Sequence, residues 1–145
     1  LTIPLCRRFA TPGPTPTATP PPPYPAPNLL LPANGAPFTS DTTSISLQWA
    51  SVGTLRDNES YSVTIEDITA GQGPTVVDYV TDTRYNVPIT IRPSDNLPHI
   101  FSWTISVVRQ EGSDESGNPI WVSAGTISSP RYFSWIVLVV ATPSP

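Results

Sequence analysis

A proline-rich run, TPGPTPTATPPPPYPAP from Thr11 to Pro27, restricts the fold of this chain more than any other stretch. Nine of its seventeen residues are proline. Because proline fixes its own φ and excludes the preceding residue from the α region, the run is incompatible with a helix or a central strand. An extended polyproline II conformation rises about 3.1 Å per residue and reaches roughly 50 Å. We therefore predict a stiff linker over residues 11–27 that separates a short N-terminal segment from a domain.

The linker carries threonines between its prolines, a composition typical of O-glycosylated stalks. The candidate glycosylation sites are Thr11, Thr15, Thr17 and Thr19. An unmodified spacer is the alternative interpretation of the same residues.

Residues 1–10 form an apolar segment ahead of the linker. Leu1, Ile3 and Leu5 recur with the period of two that a strand with one apolar face shows. Proline at position 4 lacks the N–H that a ladder needs, so such a strand would lie at a sheet edge. We predict a candidate donor strand that another surface buries, with a disordered tail as the alternative. Cys6, the one cysteine, either bridges two chains or is an idle thiol.

Composition and charge exclude several classes of function. The chain has 145 residues and a net charge of −4, from eleven acidic side chains and seven basic ones that are all arginine. No basic stripe is present to bind phosphates, so we expect no nucleic-acid partner. The longest apolar run, Trp135–Ala141, is far shorter than the ~20 residues that cross a bilayer, so we expect no membrane span. The chain begins at Leu1 and contains no methionine, which we interpret as processing or as a fragment; processing fits an extracellular location.

From Asn28 onward, strand patterns alternate with turns. Three segments alternate clearly, with apolar residues on one face: Ser44–Trp49, Tyr61–Glu66 and Ile100–Val108. Further strand patterns lie at Leu29–Leu31, Thr75–Val80, Arg84–Ile91, Ile120–Ile127 and Arg131–Val140. These seven or eight strands predict an all-β fold, a single antiparallel β-sandwich over residues 28–141 with a proline-rich tail at 142–145. The alternation favours a core role for Trp49, Tyr61 and Trp103 over a ligand platform.

Four of these segments carry a resemblance to a known family. They read SISLQWASV, ESYSVTIED, HIFSWTISVVRQ and SPRYFSWIV. In this order they resemble the fibronectin type III-like domains of secreted bacterial proteins, in which a tryptophan strand, a Y-x-V-x-V strand, a Y/F-x-W-x-V strand and a closing R-x-F strand recur. The resemblance covers about Pro27 to Val140 and implies an immunoglobulin-like sandwich, but it does not imply one function. No Arg-Gly-Asp occurs in Glu111–Asn118, so integrin-type adhesion has no support.

No pattern for catalysis or metal binding is present. His99 is the only histidine, and nothing places serine and aspartate around it as a Ser-His-Asp triad requires. One histidine and one cysteine do not supply the ligands of a zinc site. Glu111, Asp114 and Glu115 fit no known calcium loop, and acidic side chains in such loops usually face water. We predict a protein that is not an enzyme and has neither metal nor cofactor.

The last predicted strand is apolar on both faces after Ser134. A closing edge strand ordinarily alternates, whereas a strand that is apolar on both faces needs cover on both. Another copy of the chain would cover it; so would loops of the same domain or a crossing between the sheets. The predicted assembly interface combines this strand with the N-terminal segment: Leu1, Ile3, Leu5, Phe9, Ile136, Val137, Leu138, Val139 and Val140.

Two functions follow from these features. The first is an extracellular structural subunit that polymerises head-to-tail into a pilus-like filament, by inserting its N-terminal strand into the sandwich of a neighbouring copy. The second is a binding or spacer module of a secreted or cell-surface multidomain protein. In that module, exposed aromatic residues such as Tyr79, Tyr85 or Trp121 would stack on polysaccharide. The sequence favours the filament, with the chain itself as its partner.

Overall fold

The strands of this chain form two sheets that pack face to face. The structure is a computed structural model and describes residues 23–138. Nine strands lie in this range: β1 (Leu29–Leu31), β2 (Ala36–Phe38), β3 (Ser46–Trp49), β4 (Glu59–Asp67), β5 (Pro74–Val80), β6 (Arg84–Asn86), β7 (His99–Ser113), β8 (Pro119–Ser123) and β9 (Arg131–Trp135). A 3-10 turn at Ile89–Ile91 follows β6. The predicted all-β sandwich is confirmed.

The smaller sheet has the strand order β1-β3-β6, and its pairs are antiparallel. The larger sheet has the order β2-β9-β7-β4-β5, with β8 also paired to β7. The long strand β7 organises it, because β9 pairs with its beginning and β8 with its end, along the same edge. Strand β4 pairs with the other edge of β7. One pair, β2 with β9, is parallel.

The alternating residues meet between the sheets as the sequence predicts. Twelve large side chains are less than 2% exposed, and they include Trp49, Tyr61 and Trp103. The rings of Trp49 and Tyr61 pack edge to face with centroids 5.5 Å apart. Burial of each such apolar side chain contributes about 1.5–3 kcal/mol. The core role predicted for these three residues is therefore confirmed.

Several elements differ from the sequence-based expectation. The predicted strand Arg84–Ile91 stops at Asn86, and a 3-10 turn begins beyond Pro88. The predicted strand Ile120–Ile127 ends at Ser123. Strand β2 was not predicted, since it has only three residues and Pro37 at its centre. Because proline has no backbone N–H to donate, a short segment centred on proline does not match the pattern by which strands are predicted.

Strand β9 ends at Trp135, before the predicted end at Val140. Trp135 pairs with the first residue of β7, so β7 provides no partner beyond it. The next N–H, that of Ile136, donates to the carbonyl oxygen of Phe38 at 3.1 Å. Val137 packs against the core, whereas Leu138 is 56% exposed. Part of this apolar segment is therefore covered by its own domain, the alternative that the sequence left open.

Within the described residues, contacts with the sandwich begin at Tyr24, inside the predicted linker. The Tyr24 N–H donates to the Ala124 carbonyl oxygen at 3.0 Å, and its own carbonyl accepts from the Thr126 N–H at 3.0 Å. Between these partners lies Gly125, where a Cβ would stand 2.7 Å from the Tyr24 carbonyl oxygen. Glycine is required there because any side chain would push this backbone pairing apart.

The candidate donor strand, the linker up to residue 22 and residues 139–145 lie outside the described residues. Within residues 23–138, no helix is long and apolar enough to cross a membrane.

Candidate functional site

Two aromatic side chains from distant parts of the large sheet stack on its outer face. Tyr79 lies on β5 and Trp121 on β8, and strands β4 and β7 run between them. The ring centroids are 4.5 Å apart and the ring planes differ by 13°. Tyr79 is 37% exposed and Trp121 is half-buried. We call these two residues the aromatic pair.

The sheet face around the aromatic pair is lined with hydroxyl groups. The register of β4 and β7 sets Ser62 beside Ser106 and Thr64 beside Thr104, on the face that points away from the core. Ser62 is only 9% exposed although it lies on this outer face. We attribute its burial to the side chain of Tyr79, which lies directly opposite on β5. Ring faces above a hydroxyl-lined floor provide apolar stacking and hydrogen bonding side by side.

Two further tyrosines, Tyr85 and Tyr132, do not belong to the aromatic pair. Tyr85 belongs to the small sheet, packs against the core and donates its hydroxyl to Asp78 at 3.1 Å. Burial, followed by this hydrogen bond, raises the pKa of Tyr85 to about 12. Tyr132, on β9 opposite Ser102, shares the outer face with the aromatic pair and is 38% exposed. Of the three aromatic residues predicted to stack on polysaccharide, Tyr79 and Trp121 lie together and Tyr85 lies apart from them.

His99 has a carboxylate against each of its ring nitrogens. Its Nδ1 lies 2.6 Å from Oδ2 of Asp67, and its Nε2 lies 2.8 Å from Oδ2 of Asp95. A neutral imidazole has one N–H, so donation to both carboxylates requires the protonated ring. A general base needs a nitrogen that faces the nucleophile, and neither nitrogen does so here. We call this group the histidine clamp, which joins the end of β4, the start of β7 and the loop before β7.

The electrostatics of the histidine clamp follow from these contacts. Burial lowers the pKa of His99, but the hydrogen bonds to Asp95 and Asp67 outweigh burial and raise that pKa overall. The hydrogen bond from His99 lowers the pKa of the exposed Asp95 carboxyl. Both shifts favour the charged forms of His99 and Asp95, so their contact contributes to the stability of the fold.

A buried carboxylate, that of Glu59, bonds to Tyr24, a residue of the predicted linker. Glu59, the first residue of β4, is 1% exposed. Its Oε1 accepts from the Tyr24 hydroxyl at 2.6 Å and from the Arg56 N–H at 2.8 Å. The hydrogen bond to Glu59, followed by burial, raises the pKa of Tyr24. Sequence reasoning missed this contact; the available signals were a tyrosine among prolines and an acidic residue at an inward strand position.

The acidic loop that the sequence analysis considered for calcium does not gather its carboxylates. Glu111 bonds to the guanidinium of Arg109, with Nη2 to Oε2 at 2.7 Å. Asp114 accepts two N–H groups of its own turn at 2.9 Å. No group of three or more metal-ligating side chains forms a metal site within the described part of the chain.

The predicted assembly interface falls partly within the described range. Ile136, Val137 and Leu138 lie just after β9, while Leu1, Ile3, Leu5, Phe9, Val139 and Val140 lie outside that range. The candidate glycosylation sites Thr11, Thr15, Thr17 and Thr19 lie outside it as well.

Comparisons of the chain with protein families, with curated proteins and with solved structures found no match.

Proposed function

We propose that this domain is a carbohydrate-binding module of an extracellular multidomain protein and that it binds polysaccharide on the outer face of its large sheet. The observation that supports this function is the aromatic pair, Tyr79 and Trp121, on a face of serines and threonines. Aromatic rings stack on the apolar faces of sugar rings, and the neighbouring hydroxyls exchange hydrogen bonds with sugar hydroxyls.

The charge of this face favours a neutral polysaccharide. The outward residues of β4 between Ser60 and Glu66 and of β7 between Ser102 and Val108 include one charged side chain, Glu66. An anionic polymer would find no cation there to pair with its acid groups. A neutral glycan loses no ion pair or charged hydration shell on binding, so stacking and hydrogen bonds suffice.

The arrangement of the strands supports the resemblance to fibronectin type III-like domains. Strands β1, β3 and β6 form one sheet, and β4 pairs with β7 at the centre of the other. Immunoglobulin-like sandwiches divide their strands between two sheets in this manner. Domains of this class serve as binding or spacer modules, so the fold is compatible with the proposed function without specifying it.

Substitution of the aromatic pair tests the proposal. We expect Trp121→Ala and Tyr79→Ala each to weaken binding to a neutral polysaccharide by about 5- to 30-fold, because each removes a stacking surface. Pull-down on insoluble polysaccharides and a glycan array measure the change. Ile120→Ala, which removes an exposed apolar residue next to Trp121, is the matched control. Wild-type protein that binds no glycan, or variants that bind as well as wild type, would refute this function.

A filament subunit is the second candidate function, and one observation favours it. Strand β5 is an edge of the large sheet, and its outer side has no partner strand within residues 23–138. It is seven residues long, whereas the edge strands β1, β2 and β6 have three residues each. An added strand needs such a length of free backbone to gain affinity through main-chain hydrogen bonds. Leu1–Cys6 of a neighbouring copy is the donor in this hypothesis.

Removal of the predicted donor tests the filament. We expect the full chain to form filaments visible by negative-stain microscopy and the chain without Leu1–Ala10 to remain monomeric. The same proline-rich segment is present in both proteins, which controls for its contribution. Filaments that persist without residues 1–10, or a full chain that is monomeric at every concentration, would exclude donor-strand assembly.

A further inference from the structure

A cleft at one end of the sandwich lies apart from the outer face that carries the aromatic pair. The β3–β4 loop and the β5–β6 turn enclose it, and its volume is about 460 Å³. This volume is within the range of small-ligand sites. The lining residues are Ser51, Gly53, Thr54, Leu55, Arg56, Asp57, Glu59, Tyr61, Thr81 and Thr83.

Two of the lining side chains are polar and almost completely buried. Glu59 and Tyr61 are each 1% exposed. The Tyr61 hydroxyl accepts a hydrogen bond from the Val52 N–H at 3.2 Å, which leaves its own proton available for donation. Thr81 and Thr83, from the β5–β6 turn, also line the cleft. The cleft therefore offers convergent polar groups on a preformed scaffold.

The charge of the cleft selects the class of ligand. Glu59 accepts hydrogen bonds from two neutral donors, a phenol and a backbone N–H, and no ion pair joins it to a cationic side chain in the described part of the chain. Asp57 and Arg56 also line the cleft, so the three charged side chains sum to one negative charge. A buried carboxylate without a cation is costly, and a ligand cation that reaches it forms a charge-assisted hydrogen bond.

We propose that this cleft binds a primary ammonium group, with Glu59 as the anionic partner and the surrounding hydroxyls as additional acceptors. Two sources carry this chemistry: an amino sugar with a free amine and a lysine side chain of a peptide. The site is independent of the aromatic pair, which acts on neutral sugar rings at the outer face. Tyr24 connects the cleft to the linker, because its hydroxyl bonds to the same carboxylate oxygen.

The test uses the ¹⁵N-labelled full chain and four small probes: glucosamine, N-acetylglucosamine, Nα-acetyl-lysinamide and its Nε-acetylated form. We expect saturable amide shifts at Gly53, Arg56 and Thr83 with one or both free amines. Acetylation removes the charge, so each acetylated probe should bind at least about tenfold more weakly. A response to glucosamine alone assigns the amino sugar, and a response to the lysine probe alone assigns the peptide.

Glu59→Gln keeps the shape and the acceptor oxygen for Tyr24 but removes the charge. We expect it to weaken amine binding at least about tenfold, whereas Asp82→Asn, which alters an acidic residue outside the lining, should change it less than about twofold. Equal affinity for the free and the acetylated amines, or no saturable shift at these amides, would overturn the proposal. The comparison of free with acetylated probes on the wild-type protein tests the proposal even if Glu59→Gln fails to fold. Amide shifts confined to Tyr79 and Trp121 would overturn the proposal that amines bind in the cleft, and would leave the function proposed for the outer face intact.

Discussion

At the scale of single residues, Tyr24 bonds the segment before β1 to the sandwich. It is the first residue of the described chain that bonds to the sandwich, and its hydroxyl donates to the buried Glu59 at 2.6 Å. Hydrogen bonds to charged groups contribute more than neutral ones, although partial exposure of Tyr24 reduces the gain.

We expect Tyr24→Phe to lower the free energy of unfolding by about 1–2 kcal/mol, because it removes this bond and keeps the ring. Urea denaturation measures the change. Tyr132→Phe, on the exposed face of β9, is the control and should change stability by less than about 0.5 kcal/mol. Equal stability of Tyr24→Phe and wild type would mean that the phenol contributes nothing to the attachment.

Gly125 is required by the same contact. A Cβ at this position would lie 2.7 Å from the backbone oxygen and 2.9 Å from the Cβ of Tyr24. We expect Gly125→Ala to destabilise the domain by about 1–3 kcal/mol, because rigid backbone atoms must move to admit the methyl group. If the loss of stability comes from this clash, Gly125→Ala should not destabilise a chain that begins at Asn28 and therefore lacks Tyr24. An unchanged loss of stability in that shorter chain would contradict the explanation. Thermal unfolding of both pairs of proteins measures it.

At the scale of elements, the histidine clamp links β4, β7 and the loop between β6 and β7. The pKa of His99 is raised above its ordinary 6.5, so its stabilisation is complete below pH 6.5 and is lost as the pH rises through the raised value. The pKa of Asp95 is lowered from its ordinary 3.8, so its share is present above pH 3.8 and is lost as the pH falls through the lowered value. The clamp is therefore strongest between these two ordinary values.

We expect the wild-type free energy of unfolding to fall as the pH rises from 6.5 through the raised pKa of His99, because the contribution of the protonated ring is lost there. His99→Gln, which does not titrate, should show a flatter profile over this range. Denaturation at a series of pH values compares the two proteins. Parallel profiles would show that His99 is not the group that titrates.

Strand β5 has no partner on its outer side within residues 23–138, and one of its side chains protects this edge. Asp78 accepts the N–H of Tyr79 at 2.8 Å with one oxygen and the hydroxyl of Tyr85 with the other. A charged residue that occupies an edge donor discourages pairing with another strand. The filament hypothesis would require an incoming strand to displace this carboxylate.

We expect Asp78→Ala to increase concentration-dependent self-association, because it frees the Tyr79 N–H and removes the charge from the edge. Size-exclusion chromatography with light scattering measures the mass over a range of concentrations. Asp82→Ala removes an equal charge from the adjacent turn and serves as the control. Identical behaviour of the two variants would mean that net charge, and not the edge, governs association.

At the scale of the whole molecule, the first described backbone contact of the chain and the last residue of β9 lie at separate levels of β7. Tyr24 bonds to Ala124, whose N–H bonds to the Val107 carbonyl oxygen, and the last strand residue Trp135 pairs with His99. Val107 and His99 are about 26 Å apart at the usual rise of a strand. The two contacts are therefore separated along the length of β7.

The domain boundary follows from the same contacts. We expect a chain that begins at Pro23 to be more stable than one that begins at Asn28 by about 2–4 kcal/mol, because the shorter chain lacks two backbone hydrogen bonds and the Tyr24 phenol. Paired denaturation curves provide the comparison. Equal stabilities would place the boundary at Asn28, as the sequence pattern predicts.

The sequence by itself determined the class of fold and the identity of the core. Alternation with a period of two requires that Ile45, Leu47 and Trp49 face one way, and every sandwich built from these strands buries them. From the proline content we predict neither a helix nor a central strand in Thr11–Pro27, because that restriction is local to each residue. These properties depend only on near neighbours in the chain.

Only the tertiary structure decided which distant residues meet. Tyr79 and Trp121 stack across two intervening strands, His99 lies between two aspartates, and Tyr24 reaches a buried Glu59. Such contacts depend on strand order and register, which a single sequence pattern does not encode because several pairings satisfy the same alternation. The end of β9 at Trp135 has the same cause, since a strand extends only as far as its neighbour does.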